Sequence, residues 1–223
     1  MDRTPLRLFR RFARHELARR EFARHESGVA TLEFAIIVPV LLTLLYGVAE
    51  YVNAADNRNK VANLTRTLAD LTSQNQEAKI PVKMMELIMG SASPILAPFP
   101  AARASIQISA IGIYKGNKAY VCSTWPATST TRKVGKDATL VIPTNFQREG
   151  ARYVLAEVTM PYQPLFSTVL GRLMKTVNYT FQWSEKVEWP VRGGSSWALG
   201  RDAEVVIPSG STWTECPDPT KVS

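Results

Sequence analysis

Residues 34–49 read FAIIVPVLLTLLYGVA, a run of 16 positions without a charge, and this run decides the architecture of the chain. Val29-Ala30-Thr31-Leu32 lead into it and Tyr51-Val52 follow, so the 24 residues 29–52 are interrupted only by Glu33 and Glu50. A helix needs about 20 residues to cross the hydrocarbon core of a bilayer, so this segment is long enough to span it once. Pro39 lacks an N–H donor and crowds the carbonyl four residues back, so it marks an expected helix kink.

The flanks set the orientation. Residues 1–27 hold eight arginines against four carboxylates, and Phe12-Ala13-Arg14-His15-Glu16 returns as Phe22-Ala23-Arg24-His25-Glu26. Such a leader reads as a basic helix on an anionic membrane surface. A nucleic-acid arm is the competing reading, set aside because a membrane segment follows immediately. Positive charge stays in the cytoplasm, which places the N-terminus inside and the C-terminal body outside. A cleaved secretory signal peptide ending near Val52-Asn53-Ala54 is the alternative. Against it stand the length of the leader and Glu33, an acidic residue where an ordinary signal sequence has Leu or Ala. An ionisable group at the centre of a membrane helix costs about 2.5–3.5 kcal/mol on insertion scales and less near the interface, so Glu33 is a functional candidate.

Composition narrows the chemistry. The chain has 223 residues, 45% hydrophobic and 9% aromatic, with a net charge of +8, too apolar for a disordered polymer. Its only histidines, His15 and His25, lie in the leader, and its two cysteines cannot build a four-thiolate zinc site. No Gly-rich phosphate loop, Walker lysine or nucleophile-elbow motif occurs, so the expectation is a non-enzyme with no cofactor, no metal and no nucleic-acid partner. Glu185 and Glu188 could form a carboxylate pair, but on a polar strand they read more simply as solvated. Trp125, Trp183, Trp189, Trp197 and Trp213 read as core and hairpin packing, with a glycan or partner patch as the alternative.

The heptapeptide Gly28-Val29-Ala30-Thr31-Leu32-Glu33-Phe34 resembles the processing site of type IV pilin-like proteins of the tight-adherence (Flp) pilus. The longer stretch SGVATLEFAIIVPVLLTLLYGVAEY (residues 27–51) is similar to the TadE-like minor pseudopilins, with Phe34 after the glutamate where Flp major pilins carry Tyr. The resemblance implies that a prepilin peptidase cuts between Gly28 and Val29, and that Glu33 and Phe34 belong to the assembly motif. It implies as partners the inner membrane, pilus assembly proteins, and a pilin or another pseudopilin. Cleavage would leave Val29 with a free ammonium, and Glu33, four residues along, lies one turn up on the same helix face. The carboxylate could neutralise that amine in its own chain or a neighbour. Snorkelling of Glu33 to the headgroups is the simpler alternative.

Beyond the span, Val61, Leu64, Leu68 and Leu71 predict a narrow apolar stripe on a polar helix over residues 53–76. Residues 81–96 offer a second short helix with Met84, Leu87 and Ile88 inward. From residue 104 the period becomes two: Ser105–Tyr114 and Ala119–Trp125 predict a β-hairpin about Lys115-Gly116-Asn117-Lys118. Further strands are expected at residues 138–142, 153–162, 177–189 and 204–207. Residues 153–166, an acidic strand followed by Tyr162-Gln163-Pro164-Leu165, form a second point of resemblance to TadE-like proteins. Cys122 and Cys216, in an oxidising compartment, most simply form one disulfide. It would close a loop of about 95 residues, stabilise by up to about 4.7 kcal/mol, and pin the C-terminal tail to the sheet.

The expected fold is α+β: an N-terminal transmembrane helix continuing into a polar helix, then a mainly antiparallel periplasmic β head. The expected segments are a basic leader (1–28), a span (29–52), a helical stem and second helix (53–100) and a β-rich domain (101–223). The expected function is a membrane-anchored pseudopilin-like structural component of tight-adherence pilus assembly. The alternative is a periplasmic envelope-binding module tethered by an uncleaved signal anchor.

Overall fold

The structure, a computed structural model, describes residues 26–77, 79–128, 130–164, 180–196 and 203–217. Helix α1 runs from Glu26 to Ser73 with Pro39 inside it. The chain divides into two compact units that part between Val52 and Asn53.

In the second unit, α1 turns one stripe inward: Asn57, Val61, Leu64, Thr65, Leu68, Ala69 and Thr72 are buried. These positions recur at three- and four-residue steps, as a helix packed along one side requires. Leu71, expected on this stripe, is 42% exposed, and Thr72 takes the inward place. Thr65 and Thr72 are satisfied there by donating to the Val61 and Leu68 carbonyls, at 2.8 and 2.7 Å. Helices α2 (Val82–Gly90) and α3 (Ala92–Leu96) follow. Of the three residues expected inward on the second helix, Ile88 is buried, but Met84 and Leu87 are exposed and Met85 takes the inward place instead. The buried phase continues past Ser91 into Ala92 and Leu96, so one apolar line joins both short helices.

Strands β1 (Ser105–Tyr114), β2 (Lys118–Trp125), β3 (Gly135–Lys136), β4 (Arg152–Tyr162) and β5 (Phe181–Pro190) form a five-stranded sheet, ordered β3-β2-β1-β4-β5. All its pairings are antiparallel. The β1–β2 turn takes positive φ at Gly116 (76°) and Asn117 (54°), the two residue types that tolerate it best. Between β1 and β2 the register runs Ala110 to Ser123 and then Ile111 to Val121, so Cys122 is the extra residue of a β-bulge.

The two faces of the sheet have different covers. Ile108, Ala110, Val154, Ala156, Val158 and Met160 pack with Val61, Leu64, Leu68, Met85, Ile88 and Leu96 from the helices. On the opposite face Ile111, Ile113, Val121, Tyr153 and Leu155 form a second core with Leu140, flanked by Ile142 and Phe146. The expected strand at residues 138–142 is absent. Asp137 instead accepts hydrogen bonds from the Thr139 amide and hydroxyl, which turns the chain so that Leu140 drops into this core. The expected strand at 177–189 is observed as β5, and its first positions, 177–179, lie outside the described residues.

The C-terminal segment is a strap rather than the single strand expected at 204–207. It contains β7 (Ala203–Glu204), which pairs with β6 (Ser195–Ser196), and the two-residue strands β8 (Pro208–Ser209) and β9 (Thr212–Trp213). Ile80 donates to the Val206 carbonyl at 3.0 Å and the Trp213 indole to the Ile80 carbonyl at 2.9 Å. Ile207 donates to the Ser123 hydroxyl at 3.1 Å. The strap thus ties the start of α2 to the outer hairpin. The C-terminus of α1 is held as well: Arg192 and Gly193 amides donate to Ser73 O, at 2.9 and 2.8 Å. A Cβ at Gly193 would collide with the Asn75 carbonyl, so glycine permits this approach.

Candidate functional site

The N-terminal part of α1 leaves its apolar side chains uncovered. None of its most apolar stretch, of mean hydropathy 2.2, is buried. Phe34 is 68% exposed and Leu45 65%. A contiguous apolar surface of this extent does not persist in water without a partner or a membrane. Glu33 lies in the open on this helix, beside exposed Leu32 and Phe34. The helix is continuous through Gly28, Val29, Glu33, Phe34 and Pro39, which brings all five sequence-predicted residues onto one element. Val29 and Glu33 are therefore one turn apart. Beside Pro39, the Thr43 hydroxyl donates to the Pro39 carbonyl at 2.7 Å.

Cys122 and Cys216 lie in the other unit and form a disulfide, with Cα atoms 4.6 Å apart. The bulge at Cys122 takes this residue out of the strand register, and the partner lies at the end of the strap. Packed beside it are charges that sequence reasoning did not single out. Arg152 Nε and Glu204 Oε2 are 3.9 Å apart, both nearly inaccessible, and Glu204 Oε1 accepts the Cys216 amide at 2.7 Å. Burial raises the Glu204 carboxyl, with the Cys216 amide and Arg152 opposing. Burial also pushes the Tyr114 phenol up to about 12. That hydroxyl donates to the Pro217 carbonyl at 2.7 Å.

A second charge network occupies the polar end of the sheet face that faces away from the helices. Arg132 grips Glu157 with Nε and Nη2, each at 2.8 Å, and reaches Asp137 with Nη1 at 2.7 Å. Such a fork fixes an arginine in position as well as in charge. Its hydrogen bond to Glu157 raises the Arg132 guanidinium against the opposing effect of burial. Burial would raise the Asp137 carboxyl, but the Thr139 hydroxyl and amide, together with Arg132, hold it below the usual carboxylate range. A hydroxyl-rich groove of about 500 Å³ adjoins the network, lined by Gln107, Thr130, Thr131, Thr159, Ser184 and Lys186 among others. Glu157, the acidic residue of the second point of resemblance, thus has a structural partner that no local spacing reveals. Leu165 and Phe166 of that stretch lie outside the described residues.

Glu185 and Glu188 do not converge: Glu185 faces Arg58 at 3.5 Å, while Glu188 pairs with Lys186 at 3.1 Å. Trp125, Trp183 and Trp189 pack against the helix-side core, and Trp197 lies outside the described residues. Among the described residues no group of three or more His, Cys, Asp or Glu side chains is placed to hold a metal.

Residues 28–70 match the family model of TadE-like protein. The match begins at Gly28, covers the uncovered apolar stretch and ends one turn short of Ser73, so it coincides with α1 and not with the sheet. No curated protein and no solved structure matches the chain. TadE-like proteins are a pilus-associated structural family, and the match lies on the one helix, among the described residues, that is long and apolar enough to cross a membrane, which suggests a membrane-anchored, pilus-associated protein.

Proposed function

We propose that this chain is a pseudopilin-like structural component of tight-adherence (Flp) pilus assembly, anchored in the bacterial inner membrane. Its N-terminus lies in the cytoplasm and its β-rich head in the periplasm. The observation that carries this reading is the coincidence of the TadE-like match with a helix whose apolar surface nothing among the described residues covers. The arginine-rich leader supports the orientation. The disulfide suits an oxidising compartment.

In this role the helix lodges among membrane partners: pilus assembly proteins, and a pilin or a second pseudopilin. A prepilin peptidase cuts between Gly28 and Val29. The new ammonium of Val29 and the carboxylate of Glu33, one turn apart, then neutralise each other within a chain or between neighbours and set the axial register of the helices. Replacing Glu33 by Gln and by Ala in the producing cell is expected to reduce surface pilus output while leaving the protein membrane-bound. Unchanged output with both substitutions overturns the role of Glu33. N-terminal sequencing of the mature protein is expected to begin at Val29; an intact Met1 would favour a tethered module over a processed pseudopilin.

A further inference from the structure

The two edges of the five-stranded sheet are finished differently. On the β2 side the backbone is taken up: β3 pairs with Tyr120 and Val121, and the strap follows further along the strand. There the Ser209 hydroxyl accepts from the Thr124 amide at 3.4 Å and donates to the Thr124 carbonyl at 3.2 Å. On the other side β5 is the last strand, and among the described residues nothing pairs with its outer backbone. In an antiparallel edge strand alternate residues turn both N–H and C=O away from the sheet, so β5 presents a row of them along its ten residues. No residue of β5 is buried, whereas β4 beside it is buried over most of its length.

Edge strands are commonly blunted by shortness, by a bulge or by a lysine. The first two devices are missing, because β5 keeps an unbroken register with β4 from Phe181 to Pro190. It does carry Lys186, but Glu188 follows two residues on, on the same face, and the two side chains meet at 3.1 Å. The patch therefore holds both signs of charge. It favours a strand on which the same charges run in the reverse order, and an antiparallel copy of β5 has that order.

The charges also choose the register. A two-fold axis normal to the sheet joins two such edges and keeps each face in common. With the axis at Val187, Lys186 of each copy stands opposite Glu188 of the other, and two ion pairs cross the join. With the axis at Glu185, Lys186 or Glu188, a charge meets its own copy, which destabilises the pairing. In the Val187 register residues 184–190 are paired, and Pro190, which has no N–H to give, falls at the end of the join.

We propose that β5 is a homodimerisation edge: two copies of this chain join antiparallel about Val187 into one continuous sheet, held by backbone hydrogen bonds and by reciprocal Lys186–Glu188 pairs. The inference concerns the sheet alone, so its failure leaves the proposed pilus role, which is carried by α1, untouched.

Light scattering of the full chain in detergent micelles, over a dilution series without reductant, tests this. A concentration-dependent dimer is expected. Glu188→Lys and Lys186→Glu, each made alone, set like charges opposite one another and are expected to weaken self-association about tenfold. Mixed in equal amounts, the two variants are expected to recover a heterodimer of wild-type strength, because each supplies the charge the other lacks; recovery also shows that both remain folded. The only two cysteines are already joined, so a single added cysteine reports the register. Val187→Cys is expected to crosslink to its copy through a short bismaleimide. Gln182→Cys is not, since its copies would lie ten strand steps, or roughly 34 Å, apart. A wild type that stays monomeric at every concentration overturns the proposal, as does a crosslink at Gln182 and not at Val187. So does a dimer that both charge reversals leave intact, which would assign the contact to the exposed apolar helix. Variants that keep the wild-type circular dichroism and fail to pair on mixing overturn it as well.

Discussion

The two halves of α1 follow one helical geometry and opposite rules of burial. Before Val52, leucines and isoleucines face outward on every side; after Asn53, one apolar stripe is buried against the sheet and the short helices. A helix apolar all round needs an apolar surrounding, whereas a helix apolar along one stripe needs one packed neighbour. The family match runs through both halves, but the head beyond them matches nothing among curated or solved proteins. The family model thus recognises the helix in both its uncovered and its packed half, and not the sheet against which the second half packs.

The sharpest way to break this contrast is to make the same substitution in both halves. Leu68→Ala, in the wholly buried stripe, is expected to cost the head about 2–5 kcal/mol, because it leaves a cavity among residues of the sheet and α2. Leu45→Ala should leave the unfolding of the head unchanged to within about 0.5 kcal/mol. Chemical denaturation in detergent, followed by tryptophan fluorescence, measures both. Removing the disulfide with Cys122→Ala and Cys216→Ala is expected to lower head stability by about 2–4 kcal/mol without changing membrane retention. Gly193→Ala tests how α1 is fastened to the sheet. Collision with the Asn75 carbonyl should cost about 1–3 kcal/mol, seen as a lower Tm and faster amide exchange at the end of the helix.

A smaller effect sharpens the contrast within the head. The Asp137 carboxyl is held low in the folded state, so it contributes stability above the pKa it has when unfolded and loses it as pH falls through the lowered folded value. Asp137→Asn should therefore flatten the acid side of the stability profile below about pH 4, in a denaturation series from pH 7 downward. Glu204, raised by burial, acts in the opposite sense: its contribution is present at low pH and fades as pH rises through its raised value. The smallest change expected is at Leu71→Ala, within about 0.5 kcal/mol, because that side chain faces outward.

The strong periodic features were legible from the residues. The apolar run, the hairpin about Gly116-Asn117 and the β4 strand each come from local pattern, and β4 begins one residue before its expected start, at Arg152. The phase of α2 was not legible, because Val82, Met84, Met85, Leu87, Ile88 and Met89 put apolar side chains nearly all round a nine-residue helix. Two inward faces satisfy the same spacing there, and docking against Leu64 and the sheet selects Met85 and Ile88. The candidate site was legible only where it lies on one helix: Gly28, Val29, Glu33, Phe34 and Pro39 are neighbours in the chain. The forked contact of Arg132 with Glu157 and the pairing of Arg152 with Glu204 join residues far apart in sequence, where no spacing carries a signal.

The residue order alone thus determined that one stretch of helix is too apolar for water, which side of it is basic, and that two thiols are available to pair. Those are properties of composition over a local window, and free energies of transfer act on them without regard to the rest of the chain. Only the tertiary structure decided that Cys122 falls on a bulge within reach of Cys216, that Thr72 and not Leu71 turns inward, and that Asn57 keeps an unpaired oxygen. The reason is that sheet register and helix rotation are set by many distant contacts at once, and a one-residue change in either alters which atoms are buried.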